Sequence, residues 1–355
     1  MTWLRVRRSR KSAFFILAPL LAVLAALHLA QAPQVVNSAT PILVLEPPRY
    51  PFTFVGYGDT RFTNPGDALN SNAAARQALV ERIADEKPQF LVINGDLVFH
   101  GGNADDWAVY DRETKKLREA GIKIFPVLGN HDLADSESGS LANHFRRFLR
   151  VFAKYDQRTG QSGPLANYFQ RFPEIRGCRW YSLRAGNVLL FMLDTASEQK
   201  MGSAQRQWLD GSLSAVPRDV DFVVLVMHHP LYTKSSEHPS GEGHAARPQE
   251  LSLAKMLEER QKTMRARMVV LAGHVHNYER YQYGGIMYIV SGGGGATPYF
   301  PQRSPGDFYA GTGATYHYCK FTADKGSLTF QMVKLDLDAS TTNWTTKDSF
   351  QLMPR

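Results

Sequence analysis

Six polar side chains, each placed just after an apolar segment, have the chemistry needed to hold a pair of metal ions. They are Asp59, Asp96, Asn130, His228, His274 and His276. Carboxylate, amide and imidazole groups suit iron, manganese and zinc alike. Two such ions ~3.5 to 4 Å apart acidify a water molecule and hold the oxygens of a transferring phosphoryl group. The residue set therefore predicts a two-metal site that hydrolyses phosphate esters.

The apolar segments before these residues have the length and composition of buried β-strands. They span residues 52–57, 90–93, 122–128, 222–227 and 268–272. Helical patterns between them start near residues 70, 105, 204 and 248, and such alternation indicates parallel strands joined by helical crossovers. Because α/β sheets bind ligands beyond the carboxyl ends of their strands, we expect the six residues to form one site there.

Other segments are less directly tied to that site. Residues 180–183 and 188–193 predict a hairpin with its turn at 184–187, and residues 141–152 have helical spacing with an arginine-rich opposite face. Beyond residue 281 the pattern becomes β-like, with candidate strands at 286–290, 316–321 and 328–335.

The amino terminus has the layout of an export signal. Five basic residues precede the uncharged apolar segment 12–27, and Ala30-Gln31-Ala32 offers a cleavage site. We interpret residues 1–32 as a signal peptide of an exported, periplasmic or secreted protein, or alternatively as an uncleaved anchor that tethers it to the inner membrane. Residues 33–50 are predicted to be a linker, 51–340 the main domain and 341–355 a C-terminal tail.

Charge and cysteine content place few further constraints. The chain has 41 basic and 33 acidic residues, and the first 32 residues contain five of the basic ones and no acidic one. The remainder, at 36 against 33, is near +3 and does not require a nucleic-acid partner. No oligomeric state is indicated. Cys178 and Cys319 could pair after export or stay as buried thiols.

Five ordered motifs resemble those of the calcineurin-like metallophosphoesterases, over about residues 52 to 295. They are Gly58-Asp59, Gly95-Asp96, Gly129-Asn130-His131-Asp132, His228 and Gly273-His274-Val275-His276. The later motifs are similar to those of purple acid phosphatases and their bacterial relatives. The resemblance implies an α/β fold, a mixed two-sheet β sandwich flanked by helices.

The resemblance also implies a role for each site residue. Asp96 would bridge two metal ions, with Asp59 and His276 on the first ion. Asn130, His228 and His274 would hold the second ion. His131 would stabilise phosphate or protonate the leaving group, and Asp132 would orient it. The substrate-binding candidates are Arg61, His229 and His238.

Two positions depart from the family pattern. Arg61 stands where many members carry a histidine ligand, and Phe99 stands where purple acid phosphatases carry a tyrosine ligand. We therefore expect a first metal site completed by water, or by His100 or Tyr57, and no tyrosinate-to-iron colour. A guanidinium stays protonated and binds oxyanions, so Arg61 is expected to contact phosphate.

Three functions remain compatible with these residues. The first is a metal-dependent phosphatase acting on small phosphomonoesters through a hydroxide held by two metals. The second is a metal-dependent phosphodiesterase, because the ligand set does not fix the leaving group. The third is a non-catalytic metal-binding module, against which the intact pair His131 and Asp132 argues.

Overall fold

The computed structural model describes most of the chain after residue 41. The described residues are 42–46, 49–134, 163–175, 177–197, 201–235, 244–300, 302–313, 315–338 and 341–355. The predicted export signal, the predicted helix at 141–152 and His238 lie outside them. Among the described helices, none combines the length and apolar character that crossing a bilayer requires.

Seven strands form the first sheet of a two-sheet sandwich. In spatial order they are β1 (Ile42–Val44), β5 (Tyr181–Ala185), β6 (Val188–Met192), β7 (Phe222–Val226), β8 (Arg267–Ala272), β10 (Ile286–Ser291) and β9 (Tyr278–Tyr283). β6, β7, β8 and β10 run parallel, whereas β5 runs antiparallel to β6 and β9 runs antiparallel to β10; β1 pairs in parallel with β5. The sheet is therefore mixed, with a parallel centre.

The second sheet has six strands and is also mixed. In spatial order they are β13 (Thr342–Leu352), β12 (Ser327–Leu337), β11 (Tyr316–Asp324), β2 (Phe52–Tyr57), β3 (Phe90–Ile93) and β4 (Lys123–Pro126). The pairs of β2, β3 and β4 are parallel, and the remaining pairs are antiparallel. The predicted two-sheet α/β class is confirmed.

Three of the described helices begin at a side-chain cap, and the helices cover the sheets. They are α1 (Ala73–Glu86), α2 (Ala104–Glu113), α3 (Lys115–Glu119), α4 (Pro164–Arg171), α5 (Ala204–Ser214) and α6 (Pro248–Thr263), with 3₁₀ turns at His131–Leu133 and Pro173–Ile175. The Asn72 side chain accepts the N–H of Ala75, and Ser203 accepts that of Arg206, which satisfies otherwise unpaired amides. These caps fix the points at which the crossovers start.

Both faces of the central strands are buried, which explains their continuous apolar sequences. Val224 and Val226 of β7 face the core between the sheets, whereas Val223 and Leu225 pack in a second cluster with side chains of α5 and α6. A strand covered on both faces cannot alternate polar and apolar residues. The predicted segments 52–57, 90–93, 222–227 and 268–272 therefore agree with β2, β3, β7 and β8 to within one residue, whereas the segment 122–128 is longer than β4.

Two sequence predictions about the rest of the fold are corrected. Residues 33–50 were expected to be a linker, yet Ile42–Val44 pairs with β5. Residues 341–355 were expected to be a tail, yet they contain β13, which pairs along β12. Both are edge strands with many exposed side chains, so their hydrophobic pattern is weak. Of the two alternatives left open for the cysteines, the structure has the unpaired one, because no disulfide joins Cys178 and Cys319.

A buried histidine of β11 gives the fold a testable pH dependence. The Nδ1–H of His317 donates to the Thr315 carbonyl at 2.8 Å, and Nε2 accepts from the Ser291 hydroxyl at 2.9 Å. Burial lowers the pKa of His317 to about 4, below the ~6.5 of an unfolded chain. Between pH 6.5 and pH 4, His317 is protonated in the unfolded state but not in the folded state. The free energy of unfolding therefore falls by about 3 kcal/mol as the pH is lowered from 6.5 to 4.

We expect His317→Gln to remove this part of the acid sensitivity. Urea unfolding of both proteins at pH 7, 5.5 and 4 measures it, since all other titrating groups are common to the two. The stability difference between wild type and variant should shrink by about 3 kcal/mol as the pH falls. A difference independent of pH would contradict the prediction.

Candidate dinuclear metal site

The carboxyl ends of strands from both sheets meet at one edge of the sandwich. Asp59, Asp96 and Asn130 follow β2, β3 and β4 of the second sheet, and the histidine ligand candidates follow β7 and β8 of the first sheet. Hydrogen bonds cross between the sheets at this edge: Asp59 Oδ2 accepts the N–H of His274 at 2.8 Å, and His228 Nδ1–H donates to the Asn94 carbonyl at 3.1 Å. The predicted residues are therefore brought together, as expected from strand direction.

The first cluster consists of Asp59, Asp96 and His276, whose candidate ligand atoms all lie within 4.8 Å of one another. His276 Nδ1–H donates to the Thr297 carbonyl at 2.7 Å, so Nε2 carries the lone pair. That nitrogen lies 3.5 Å from Asp59 Oδ1. Both atoms are buried, and neither has a hydrogen-bond partner among the described residues.

The second cluster is built around His228. The candidate ligand atoms of His228, His229 and His274 also lie within 4.8 Å of one another. His228 Nε2 is 3.0 Å from Asn130 Oδ1, 3.3 Å from His274 Nδ1 and 3.4 Å from Asp96 Oδ1. Asp96 thus belongs to both clusters, which is the position a bridging carboxylate requires.

The residues fit two metal ions. Leaving a carboxylate oxygen and an imidazole lone pair buried without partners is costly, and a cation between Asp59 Oδ1 and His276 Nε2 would satisfy both atoms. Around His228 several lone-pair atoms converge in the same way. Oxygen and neutral nitrogen donors of this kind match iron, manganese or zinc and do not single out one of them.

Several site residues adopt a backbone conformation that is uncommon for them. Asp59, Asp96 and His274 have φ values of 57°, 53° and 72°, in the left-handed region. Such strain persists where the surrounding structure holds it, and it clusters at functional sites. The close approach of the Asp96 carboxylate to the backbone requires a glycine at position 129, because a Cβ there would lie 2.2 Å from Asp96 Oδ1.

The pKa values of the Asp59 and Asp96 carboxyl groups are shifted in opposite directions. Burial opposes ionisation of Asp96, but His228 and His131 in their protonated forms, the Arg61 guanidinium and the His131 backbone N–H outweigh it and lower the pKa of Asp96. Burial, reinforced by the negative charge of Asp96, raises the pKa of Asp59 well above its ordinary value. Asp96 is therefore the more readily ionised carboxylate of the pair.

Burial disfavours the protonated form of the site histidines. Burial lowers the pKa values of His228 and His131, and lowers those of His229, His274 and His276 well below the ordinary value. A neutral imidazole retains a lone pair, which is the form that binds a metal. The site thus presents nitrogen donors rather than a cluster of imidazolium charges.

His131 lies beside Asp96, but Asp132 does not orient its ring. The His131 backbone N–H donates to Asp96 Oδ1 at 3.0 Å, and its Nδ1–H donates to the Phe99 carbonyl at 2.7 Å. The Asp132 carboxylate instead accepts backbone N–H groups of Leu97, Val98 and Gly129. The predicted role of Asp132 is corrected: it fixes the two ligand loops, because its carboxylate faces their amides.

Arg61 enters the first cluster from the loop after β2. Its guanidinium nitrogen lies 3.4 Å from Asp96 Oδ2, and its guanidinium carbon lies 5.8 Å from the centre of the Phe99 ring. The Phe99 ring in turn stacks on His131, with centroids 5.2 Å apart. A cation and an apolar ring thus stand beside the carboxylate that the two clusters share.

Of the two predicted substitute ligands, His100 lies apart from the first cluster. His100 Nδ1 lies 3.6 Å from Asp106 Oδ2, at the start of α2. The Tyr57 hydroxyl is buried without a hydrogen-bond partner among the described residues, and burial raises the pKa of Tyr57. Among the described histidine, cysteine, aspartate and glutamate residues, the first cluster has three candidate ligands.

Sequence reasoning missed two residues that follow β6. Arg179 pairs with the buried Asp194 carboxylate at 2.8 Å, and the Thr195 hydroxyl accepts the backbone N–H groups of His228 and His229. The signal was present, because an apolar strand ends in Asp194-Thr195 just as the other strands end in ligands. Treating residues 180–193 only as a hairpin concealed it.

Fold and site together define the class of metallophosphoesterases, with two ligand clusters sharing one aspartate at the edge of a mixed two-sheet sandwich. The chain belongs to the calcineurin-like phosphoesterase family, whose family model matches residues 52–278. The resemblance inferred from the motifs is confirmed.

The relatives extend this likeness to purple acid phosphatases. The chain is 35% identical over 104 residues to "Probable purple acid phosphatase 20" of Arabidopsis thaliana, covering 29% of this chain and 22% of the relative. It is 35% identical over 125 residues to "Purple acid phosphatase 21" of the same plant, covering 33% and 26%. The matches thus span about a quarter of these relatives' length.

Solved structures share the fold over most of this chain. The purple acid phosphatase PPD1 of yellow lupin (Lupinus luteus) superposes with a TM-score of 0.62 at 19% identity, covering 87% of this chain and 55% of that one. PhoD superposes with a TM-score of 0.59 at 12% identity, covering 87% and 71%. At such identities the likeness establishes the architecture.

Proposed function

We propose that this protein is a phosphatase that hydrolyses small phosphomonoesters with two bound metal ions. The observation that carries the proposal is the shared carboxylate: Asp96 Oδ1 lies 3.4 Å from His228 Nε2, while Asp96 also belongs to the cluster with Asp59 and His276. When bound, the two ions would supply a nucleophilic oxygen at neutral pH and positive charge for the phosphoryl group.

The protein's own side chains complete the reaction centre. Asp59 and His276 would hold the first ion, with His228, His274 and Asn130 on the second and Asp96 on both. His131 has Nδ1–H committed to the Phe99 carbonyl, so Nε2 is the nitrogen that exchanges a proton with the leaving group. The Arg61 guanidinium would bind phosphate oxygens and offset their charge.

A monoester carries one more negative charge than a diester, and the position of Arg61 supports the proposal of a monoester substrate. The Arg61 guanidinium lies beside Asp96, and the Arg61 side chain is only 12% exposed. Because little water surrounds this charge, its attraction for a phosphate group is weakly screened. The phosphodiesterase alternative lacks a specific observation in its favour. We also propose, from the N-terminal segment alone, that the protein is exported.

Paired chromogenic substrates test the proposal. The protein is stripped with a chelator, reconstituted with iron, manganese or zinc, and assayed with p-nitrophenyl phosphate and bis(p-nitrophenyl) phosphate. We expect turnover only after metal addition and a higher kcat/KM for the monoester. Preference for the diester would favour the alternative, and no turnover with any metal would refute both.

Arg61→Gln should weaken substrate binding without removing the metals. The loss of a charge-assisted hydrogen bond of ~1.5–3 kcal/mol corresponds to a fall of about 10- to 100-fold in kcat/KM. The inhibition constant of inorganic phosphate should rise by a similar factor, because product and substrate carry the same dianionic group.

Arg82→Gln provides the matched control. Arg82 is 42% exposed and pairs with Glu86 on α1, so its loss should leave kcat/KM unchanged within about twofold. If Arg61→Gln behaved like this control, Arg61 would not contact the substrate.

A further inference from the structure

A third imidazole, that of His229, stands beside the second cluster. Its ring centroid lies 4.4 Å from that of His274 and 5.0 Å from that of His228. Distance alone would allow two roles, a further metal ligand or a hydrogen-bond donor. The two roles require opposite protonation of the outer ring nitrogen, so the hydrogen bonds of the ring can separate them.

The Thr195 hydroxyl is saturated as an acceptor by the backbone. Thr195 Oγ1 accepts the backbone N–H of His228 at 3.2 Å and that of His229 at 2.9 Å. A hydroxyl oxygen has two lone pairs and one proton, so both lone pairs are used. The proton of Thr195 remains to be donated.

His229 Nδ1 receives that proton. His229 Nδ1 lies 3.2 Å from Thr195 Oγ1. Among the described residues, it is the acceptor that lies close enough to receive a hydrogen bond from this hydroxyl. An imidazole that accepts at Nδ1 in its neutral form carries its proton on Nε2. His228 has the opposite tautomer, because its Nδ1–H donates to the Asn94 carbonyl and leaves Nε2 as a lone pair.

We propose that Thr195 fixes His229 as a neutral Nε2–H donor, which binds a phosphate oxygen at the second cluster and does not ligate the metal. Thr195 is a positioning residue in this arrangement. The inference rests on the proposed function, since it names the group that His229 recognises, an oxyanion held next to the second ion.

Metal affinity separates a donor from a ligand. Zinc binding to the metal-free protein is measured by calorimetry and elemental analysis for wild type, His228→Ala, His229→Leu and His229→Gln. We expect His228→Ala to lose the second ion, whereas both His229 variants keep two ions with affinities within about threefold of wild type. Loss of the second ion in His229→Leu would overturn the inference.

Phosphate binding tests the donor directly. Inorganic phosphate is titrated into the zinc-loaded proteins, and we expect affinity to fall about 10-fold in His229→Leu but less in His229→Gln, whose amide can donate. For Thr195→Val we expect the same loss, appearing in KM more than in kcat, with recovery in Thr195→Ser because serine restores the hydroxyl. Unchanged phosphate affinity in both His229→Leu and Thr195→Val would also overturn it.

A spectroscopic readout distinguishes positioning from mere structural support. The zinc-loaded wild type is labelled with ¹⁵N-histidine, and the resonances of His229 are identified because they are absent from His229→Gln. These resonances should show the Nε2–H tautomer in wild type. They should change in Thr195→Val. An Nδ1–H tautomer in wild type would refute the inference. A wild type that still binds two ions and turns over phosphomonoester would then leave the proposed function standing.

Discussion

Asp96→Ala is expected to reduce kcat for phosphomonoester hydrolysis by about 10³-fold or more. This side chain is the one that both clusters share, and its loss removes the group that would hold the two ions together. Two-metal stabilisation of the transition state contributes several kcal/mol, and ~4 kcal/mol corresponds to a factor of about 10³. The measurement is kcat after reconstitution with each metal, together with the number of ions bound per chain.

Asp96→Asn gives the matched substitution of equal size. Its amide keeps one oxygen donor but cannot bridge two cations as a carboxylate does, so we expect a comparable loss of activity and fewer bound ions. Asp106→Asn serves as a control, because Asp106 is also buried but contacts Thr63 and His100 at α2. Wild-type kcat in Asp96→Asn with two ions bound would contradict the bridging role.

Asp348→Ala is expected to lower the free energy of unfolding by about 3–5 kcal/mol, the cost of leaving a buried charge without its partner. Asp348 of β13 accepts two hydrogen bonds from Arg280 of β9, at 2.6 and 2.8 Å, and one from the Tyr278 hydroxyl at 2.7 Å. The pair joins the edge strands of the two sheets. Urea unfolding at pH 7 measures the loss.

The geometry of β13 places this carboxylate inside the fold. The register between β12 and β13 shifts here, so that Lys347 has no opposite residue and Asp348 lies across from Met332. A bulge of this kind changes the direction in which side chains point. Asp348 is consequently buried on a strand whose other side chains are mostly exposed.

Two further variants isolate the ion pair. Asp336→Ala removes a carboxylate of β12 that pairs with Lys334 and is 43% exposed, so its effect should stay below about 0.5 kcal/mol. Replacing both partners, in Arg280→Met with Asp348→Leu, should recover most of the lost stability, since no charge is then buried alone. An effect of Asp348→Ala no larger than that of Asp336→Ala would refute the prediction.

Arg280 also contacts the loop that follows Tyr299, a residue close to the metal site. The Arg280 guanidinium carbon lies 4.2 Å from the centre of the Phe308 ring, in the loop that follows Tyr299. Tyr299 itself stacks on His276 with centroids 4.1 Å apart. Asp348→Ala should therefore lower kcat/KM as well as stability, because Arg280 supports both the edge strands and this loop.

Sequence alone determined the parts of this protein that repeat a simple local rule. A strand buried on both faces must be continuously apolar, and a parallel strand that ends at a ligand site must be followed at once by its functional residue. Asp59, Asp96, Asn130 and the histidines after β7 and β8 obey that rule. They could be assigned to one site before any distance was known.

Tertiary structure decided what depends on partners distant in sequence. β13 lacks a strong hydrophobic pattern because it is an edge strand, and only its pairing with β12 and the Arg280 ion pair make it part of the domain. The orientation of His131 by the Phe99 carbonyl, and the contact between Thr195 Oγ1 and His229 Nδ1, likewise depend on hydrogen bonds that no local pattern records. Residue type fixes which atoms can donate or accept, whereas the folded backbone fixes which of them meet.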